Sequence, residues 1–540
     1  MSFNWDNPYP SYRFPLFARN AVSTSHPLAA QAGLRMLLAG GNAVDAALAA
    51  AAMLPVVEPT GNGLGSDAFA IIWDGKKLHG LNSSGRSPKA WTLDYFKKRH
   101  GTDAKGNAII PERGWDSATV PGAVAAWGEI HKKFGKLPFA DILAPAIEVA
   151  ERGSIVPHVI ADKWAGGAKT LEKYPGYAQV FMPNGRAPKV GERFTFSAAA
   201  KTLRILAKEG ARAYYEGEIA EGIARWARET DGAMTVEDLR NFASSWVDLI
   251  SMDYRGYEMH QIPPNGQGIS ALIALGILKN FDMPSLDVDC AESYHLQIEA
   301  MKLGFADARH FVADPRFMQV TADQMLDAKY LAGQAKLIDP RKAAIHQHGA
   351  PATGGTVYLT AADESGMMIS YIQSNFKGFG SGVVVPEYGI ALQNRGIGFS
   401  GDPNSANVVA PEKQPYHTII PGFLTKGGKP QMSFGVMGGD LQPQGHLQTC
   451  LRMIDHNQQP QAACDAPRWK VNTDQSVTVE GTMDPAIVAK LESFGHKIKV
   501  DNNSYGVFGS GQFIWRMSDD MEDGYVVASD PRRPSLGVGF

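Results

Sequence analysis

Three short stretches of this 540-residue chain carry residues whose types and spacing could do chemistry. In "GAPATGGTVYLTAADESG" (Gly349 to Gly366), Gly354 and Gly355 lead directly into Thr356. A threonine hydroxyl is a weak nucleophile, but an α-amine on the same residue can act as its general base. Cleavage between Gly355 and Thr356 would create that amine, and the glycines give the backbone room for the strained geometry self-cleavage needs. Read for structure alone, the stretch is a loop entering a strand. Val357, Leu359 and Ala361 then share one face, Tyr358 and Thr360 the other. In "VMGGDLQPQGH" (Val436 to His446), Gly438 and Gly439 stand between a strand pattern and a helical one. Consecutive N–H groups there could hold an oxyanion; the plain alternative is a tight turn. In "SSGRSP" (Ser83 to Pro88), Arg86 sits in a loop after a hydrophobic hairpin. Arginine suits bidentate recognition of a carboxylate, against the plain alternative of a solvated loop residue.

Other chemistries find little support. "PTGNGLGSDAF" (Pro59 to Phe69) puts Ser66 where the third glycine of a dinucleotide loop belongs. There is no G-x-S-x-G elbow and no H-E-x-x-H zinc motif, and the 14 histidines are scattered. Three widely spaced cysteines, Cys290, Cys450 and Cys464, make neither a disulfide framework nor a zinc pattern, which fits a reducing compartment. A net charge of -3 offers no electrostatic case for nucleic acid or anionic membrane. The N-terminus lacks a signal-peptide pattern, and the longest apolar run, Ala46 to Val57, is too short to span a bilayer. A soluble, cytoplasmic protein is expected.

The elements that must position these residues are legible in outline. "HPLAAQAGLRMLLAGGNAVDAALAAAAML" reads as two alanine-rich helices broken at Gly40 and Gly41. "AFAIIWDGKKLHGLNSS" reads as a hairpin turning at Asp74-Gly75. "PGAVAAWGEIHKKFG" and "FADILAPAIEVAERG" have helical periodicity with glycine stops. Helices dominate from about Ser197 to Phe317, apart from the strand-like "MDYRGYEMHQIP". Residues 340 to 355 read as an exposed linker, and the chain beyond Thr356 as β-rich with one clear helix at "GHLQTCLRMIDH". Cleavage would therefore leave Thr356 as a free N-terminus at the edge of a sheet.

Taken together, these blocks resemble the γ-glutamyltranspeptidase family of N-terminal-nucleophile hydrolases. The resemblance rests on "LPVVEPTGNGLGSDAF", "TVPGAVAAWGEIHKKFGKLPFADILAPAIEVAERG", "YRGYEMHQIPPNGQG", "SYHLQIEAMKLGFADARHFVADP" and "GGTVYLTAADESG", in the family's order. It implies an α+β, four-layer αββα sandwich made as a proenzyme that cleaves itself before Thr356. The products are a large subunit, residues 1–355, and a small one, residues 356–540, held together as a heterodimer; a dimer of heterodimers stays open. By position, Ser374 matches the second active-site hydroxyl, Gly438 and Gly439 the oxyanion pair, and Arg86 the arginine gripping the substrate α-carboxylate. No metal or organic cofactor is implied.

The departures from the family's pattern bear on substrate. The acid that binds the glutamyl α-amino group falls on Gly398, the neighbouring glutamine on Arg395, and an asparagine on Phe376. Two serines that contact the carboxylate fall on His417 and Thr418. With Asn375 beside Ser374, these positions complete the candidate substrate contacts. A γ-glutamyl ammonium would face Arg86 and Arg395 without a counter-charge, a costly arrangement in a closed site. The expected activity is hydrolysis of a small acidic amide, as in the oxamate amidohydrolases of purine-ring catabolism. The alternatives are a γ-glutamyl hydrolase or transpeptidase acting on glutathione-like compounds, a β-lactam-type acylase, and a silent homologue that never cleaves.

Overall fold

Alternating patterns bury one side of a strand against a neighbour, and here both sides of the central strands are covered. A computed structural model describes residues 3–11, 13–346 and 355–540. Two seven-stranded antiparallel sheets face each other. In one, the order runs Leu16–Ala18, Tyr525–Ser529, Ser510–Arg516, Lys429–Met437, Gly422–Lys426, Tyr257–Gln261, Ile250–Tyr254. In the other it runs Leu536–Gly539, Ala21–Thr24, Gly355–Ala362, Met368–Phe376, Asp67–Trp73, Leu78–Ser83, Ser245–Val247. Phe69, Tyr358, Ile372, Phe423 and Ile514 fill the space between the sheets. Helices Pro27–Leu38, Ala43–Val57 and Phe139–Arg152 pack outside the second sheet, and Ile269–Leu278, Ala291–Phe311 and Leu441–Ile454 outside the first. This is the expected αββα sandwich.

The alanine-rich helix Ala43–Val57 is buried along its whole length. Small side chains let it lie against both its helical neighbours and the strand carrying Thr356, and Asn42 caps it through a reciprocal box with Asp45. The hairpin turns where expected, with Asp74 Oδ1 accepting from the backbone of Lys76 and Lys77. Val357, Leu359 and Ala361 do face the helical layer, while Tyr358 faces the opposite sheet.

Two expectations are corrected. The strand Gly355–Ala362 is not at an edge but third of seven, flanked by Ala21–Thr24 and Met368–Phe376. The edge is taken by the last strand of the chain, a pairing no local pattern reveals. Beyond Thr356 there are further helices, Pro460–Asp465 and Pro485–Ser493, both started by a proline at the first turn. Residues 341–346 are exposed or half-buried, and two of their amides are held: Ala343 N donates to Phe494 O at 2.7 Å and Ala344 N to Glu299 Oε2 at 3.1 Å. The rest of the expected linker, residues 347–354 with Gly354, lies outside the described residues. No helix among those described is long and apolar enough to cross a membrane.

Candidate active site

The pairing between Gly355–Ala362 and Met368–Phe376 slips at its first rung. Gly355 opposes Phe376 and Val357 opposes Gln373, which leaves Thr356 at an irregularity of the ladder. Such a bulge re-aims a side chain. Thr356 Oγ1 donates to Ser374 Oγ at 3.2 Å and accepts from Gln442 Nε2 at 3.4 Å. Ser374 Oγ also accepts from the amide of Phe376 at 2.8 Å, so the Thr356–Ser374 pair is oriented from both sides. Thr356 is 4% exposed and opens onto a cavity of about 600 Å³.

Gly438 lines the same cavity. It follows the strand Lys429–Met437 and precedes the helix Leu441–Ile454, and its φ of 137° and that of Gly439, 61°, are conformations that exclude ordinary side chains. Their carbonyls accept from the first helical amides, those of Leu441 and Gln442, at 3.2 Å each. The helix N-terminus adds a favourable field for negative charge near Thr356.

The loop resembling a nucleotide cradle is a prop instead. Ser66 Oγ donates to Asn375 Oδ1 at 2.8 Å, and Asn375 N donates to Gly61 O. Gly65 packs so closely that an added Cβ would stand 2.4 Å from Ala391 O. Asn375 is thereby fixed beside Ser374, with its Nδ2 unpartnered among the described residues.

Arg395 is the least expected feature. It is 1% exposed, and its guanidinium lies 4.6 Å above the ring of Phe376. Nη1 donates to Thr418 Oγ1 at 2.7 Å, but Nε and Nη2, the edge that forms bidentate bonds, have no hydrogen-bond partner among the described residues. Burial pulls its pKa down to about 9, opposed by the nearby carboxylate of Asp67. Asp67 opposes Ser374 in the sheet register and lies 3.1 Å from His417 Nε2. Burial pushes its carboxyl up to about 7, against the pull of Arg395 and the amides of Gly85 and Gly122. Burial and Arg395 together hold His417 well below the usual imidazole range, hence neutral. Gln267 ties this cluster to the glycine turn, donating to Thr418 O at 2.6 Å and Gly439 O at 3.0 Å.

Arg86 and Gly398 both lie outside the walls of the Thr356 cavity. Arg86 lines a separate cavity of about 450 Å³, where its Nη1 is 3.6 Å from Asp314 Oδ2 and donates to Glu412 O. Neither Arg86 nor Arg395 is among the walls of the cavity that reaches Thr356; what separates them is that Arg86 has Asp314 beside it, while Arg395 Nε and Nη2 are unpartnered among the described residues. At Gly398, a Cβ would meet Tyr416 O at 2.4 Å, so the backbone itself leaves no room for an acid. The sequence reading missed Gln442, Gln267 and Asp67. Gln442 was within reach, because it lies on the first turn of the helix that Gly438-Gly439 introduces.

Among the described residues, one group has metal-ligating types in proximity: His295, Glu299 and His496. Its carboxylate is already occupied, by Lys302 Nζ at 2.7 Å, by His346 Nε2 at 3.0 Å and by the amide of Ala344.

An αββα sandwich with hydroxyl side chains at the head of a central strand, beside a glycine turn, defines an N-terminal-nucleophile hydrolase, an enzyme class that cleaves C–N bonds. A family model described as Gamma-glutamyltranspeptidase matches residues 29–540, and the chain belongs to that family. It is 36% identical to a glutathione hydrolase-like YwrD proenzyme of Bacillus subtilis (strain 168), over 97% of this chain and 98% of that one. It is 34% identical to an oxamate amidohydrolase proenzyme of Klebsiella pneumoniae, over 95% and 97% respectively. The structure is similar to that of a cephalosporin acylase from Bacillus halodurans, with a TM-score of 0.92 and 45% identity, covering 100% of this chain and 99% of that one.

Proposed function

We propose that this chain is a self-processing threonine amidohydrolase whose substrates carry a carboxylate beside the scissile amide, oxamate being the smallest. Cleavage before Thr356 yields subunits 1–355 and 356–540 and frees the α-amine. That amine takes the proton of Thr356 Oγ1 as the oxygen attacks the amide carbonyl. Ser374 and Gln442 keep the hydroxyl aimed, and the N–H groups of Gly438 and Gly439 hold the oxyanion. The C–N bond breaks, the leaving nitrogen takes the proton, and water then hydrolyses the Thr356 ester. No step calls for a metal or an organic cofactor.

The observation that carries the substrate reading is the empty Nε–Nη2 edge of the buried Arg395. A desolvated guanidinium with two idle donors is costly unless an anion completes it. Arg395, rather than Arg86, is therefore assigned to the substrate carboxylate, with Thr418 orienting it and Phe376 beneath it. Gly398 has no room for an acid, and Asp67 is already engaged by His417 and backbone amides, which disfavours a γ-glutamyl ammonium. The oxamate amidohydrolase among the relatives agrees with this reading. The test compares kcat/KM for oxamate and for a γ-glutamyl anilide on one processed preparation. A higher value for the γ-glutamyl compound overturns the assignment.

A further inference from the structure

Oxamate, a molecule of six heavy atoms, leaves most of the cavity at Thr356 unfilled. Its walls are strongly cationic: Arg113, Lys163, Lys377, Lys470 and Arg533 against only Glu58 and Glu112. Two of these cations are spoken for. Lys377 Nζ donates to Glu112 Oε2 at 2.6 Å, and Arg113 donates to the carbonyls of Gly378 and Gly380.

Lys163 and Arg533 are different. Arg533 is 8% exposed and its Nε has no hydrogen-bond partner among the described residues. Lys163, on the exposed side of the helix His158–Leu171, stands within electrostatic reach of both Arg533 and Glu58. Glu58, the acid they share, is itself buried and held by Ser25 Oγ at 2.6 Å. One carboxylate thus faces two cations, one of them with an idle buried donor. Lys163, Gly506 and Arg533 also line a second cavity of about 710 Å³, so the two spaces meet along the Lys163–Arg533 pair.

We propose that the amine released at Thr356 carries an anionic group of its own, bound between Lys163 and Arg533 where the catalytic cavity opens into the second one. This rests on the amidohydrolase reading and extends it. The substrate class is then an N-(carboxyacyl) amino acid or short acidic peptide, with the acyl carboxylate at Arg395 and the leaving-group carboxylate at Lys163 and Arg533. Atoms balance as in simple hydrolysis: the amide and water give a dicarboxylate and a protonated acidic amine.

The experiment compares N-oxalyl-aspartate with N-oxalyl-asparaginamide, which keeps the acyl carboxylate but has no carboxylate on its leaving group, on the processed enzyme. The aspartate compound is expected to have a kcat/KM about 10-fold higher or more, the scale of one charge-assisted hydrogen bond. Lys163→Gln should bring that ratio most of the way to one, while Lys163→Arg should preserve it. Lys163 lies on the exposed side of its helix, so its variants test the site even where Arg533→Gln misfolds. Equal rates for the two compounds on the unaltered enzyme, or a ratio that Lys163→Gln leaves unchanged, overturns the proposal. If neither oxalyl amide is turned over while a γ-glutamyl anilide is, the assignment of Arg395 fails instead. γ-Glutamyl-aspartate and γ-glutamyl-asparaginamide then pose the same question of Lys163: a ratio near one overturns the leaving-group site, and a ratio of about 10 upholds it.

Discussion

Thr356, Arg395 and Asp67 each lead to an expected outcome that one substitution can check. Thr356→Ala should stay a single chain and be inactive, because one hydroxyl serves both self-cleavage and turnover. A denaturing gel of the unaltered protein should show about 38 and 20 kDa, in proportion to 355 and 185 of the 540 residues of a 58.3 kDa chain. An alanine variant that still splits there would mean that another protease makes the cut. Arg395→Lys keeps a charge but loses the bidentate edge. At roughly 1.5–3 kcal/mol for a charge-assisted bond, kcat/KM for oxamate should fall about 10- to 150-fold. Arg86→Lys should cost far less, since Arg86 faces Asp314 in another cavity. Asp67 supplies a pH signature. Its folded pKa, about 7, lies above the ordinary carboxylate value of 3.8, so the fold binds its proton more tightly than the unfolded chain. The stability it confers is complete below about pH 4 and is lost as pH rises through about 7. Thermal melts from pH 4 to 8 should show that decline in the unaltered protein and a flatter profile in Asp67→Asn.

At the scale of elements, what matters is how closely strands and turns approach the site. Position 398 ends a short helical turn, Arg395–Gly398, and presses its Cα side onto Tyr416 O. Gly398→Ala should therefore push that turn away from the loop that carries His417 and Thr418. Overpacking of this kind costs about 1–3 kcal/mol. The check is a lower denaturation midpoint together with a raised KM for oxamate; an unchanged midpoint would mean that the turn yields freely. The glycine turn at Gly438 and Gly439 is tested by structure rather than by side-chain loss. A tetrahedral adduct on Thr356 should place its oxygen about 2.7–3.1 Å from those amides.

For the whole molecule, the two prospective subunits are interleaved. Residues before 356 supply three strands to one sheet and four to the other, and Leu536–Gly539 pairs with Ala21–Thr24. Separating the chains would expose both sheet faces and the helical cores at once. The processed protein should therefore unfold in urea as one transition, with both chains co-eluting on a sizing column until that midpoint. Earlier release of either chain would show that the sheets are held less tightly than their pairing implies.

Much of this was legible in the chain itself, because the signals are local. Alternation in Val357–Ala361, alanine-rich periodicity in Ala43–Val57 and the glycine signals at Gly40, Gly135, Gly153 and Gly438-Gly439 each depend on neighbours a few residues away. The order of the family's sequence blocks pointed to the sandwich and to Thr356. Only the tertiary structure distinguishes the surroundings of the two arginines considered for a carboxylate. Arg86 and Arg395 look alike as sequence, but Asp314 stands 3.6 Å from one, while the other is buried over Phe376 near Asp67 with Nε and Nη2 unpartnered among the described residues. Desolvation and charge pairing sum over groups brought together from distant parts of the chain, as Asp67, His417 and Arg395 are here. No periodicity in the sequence records that sum.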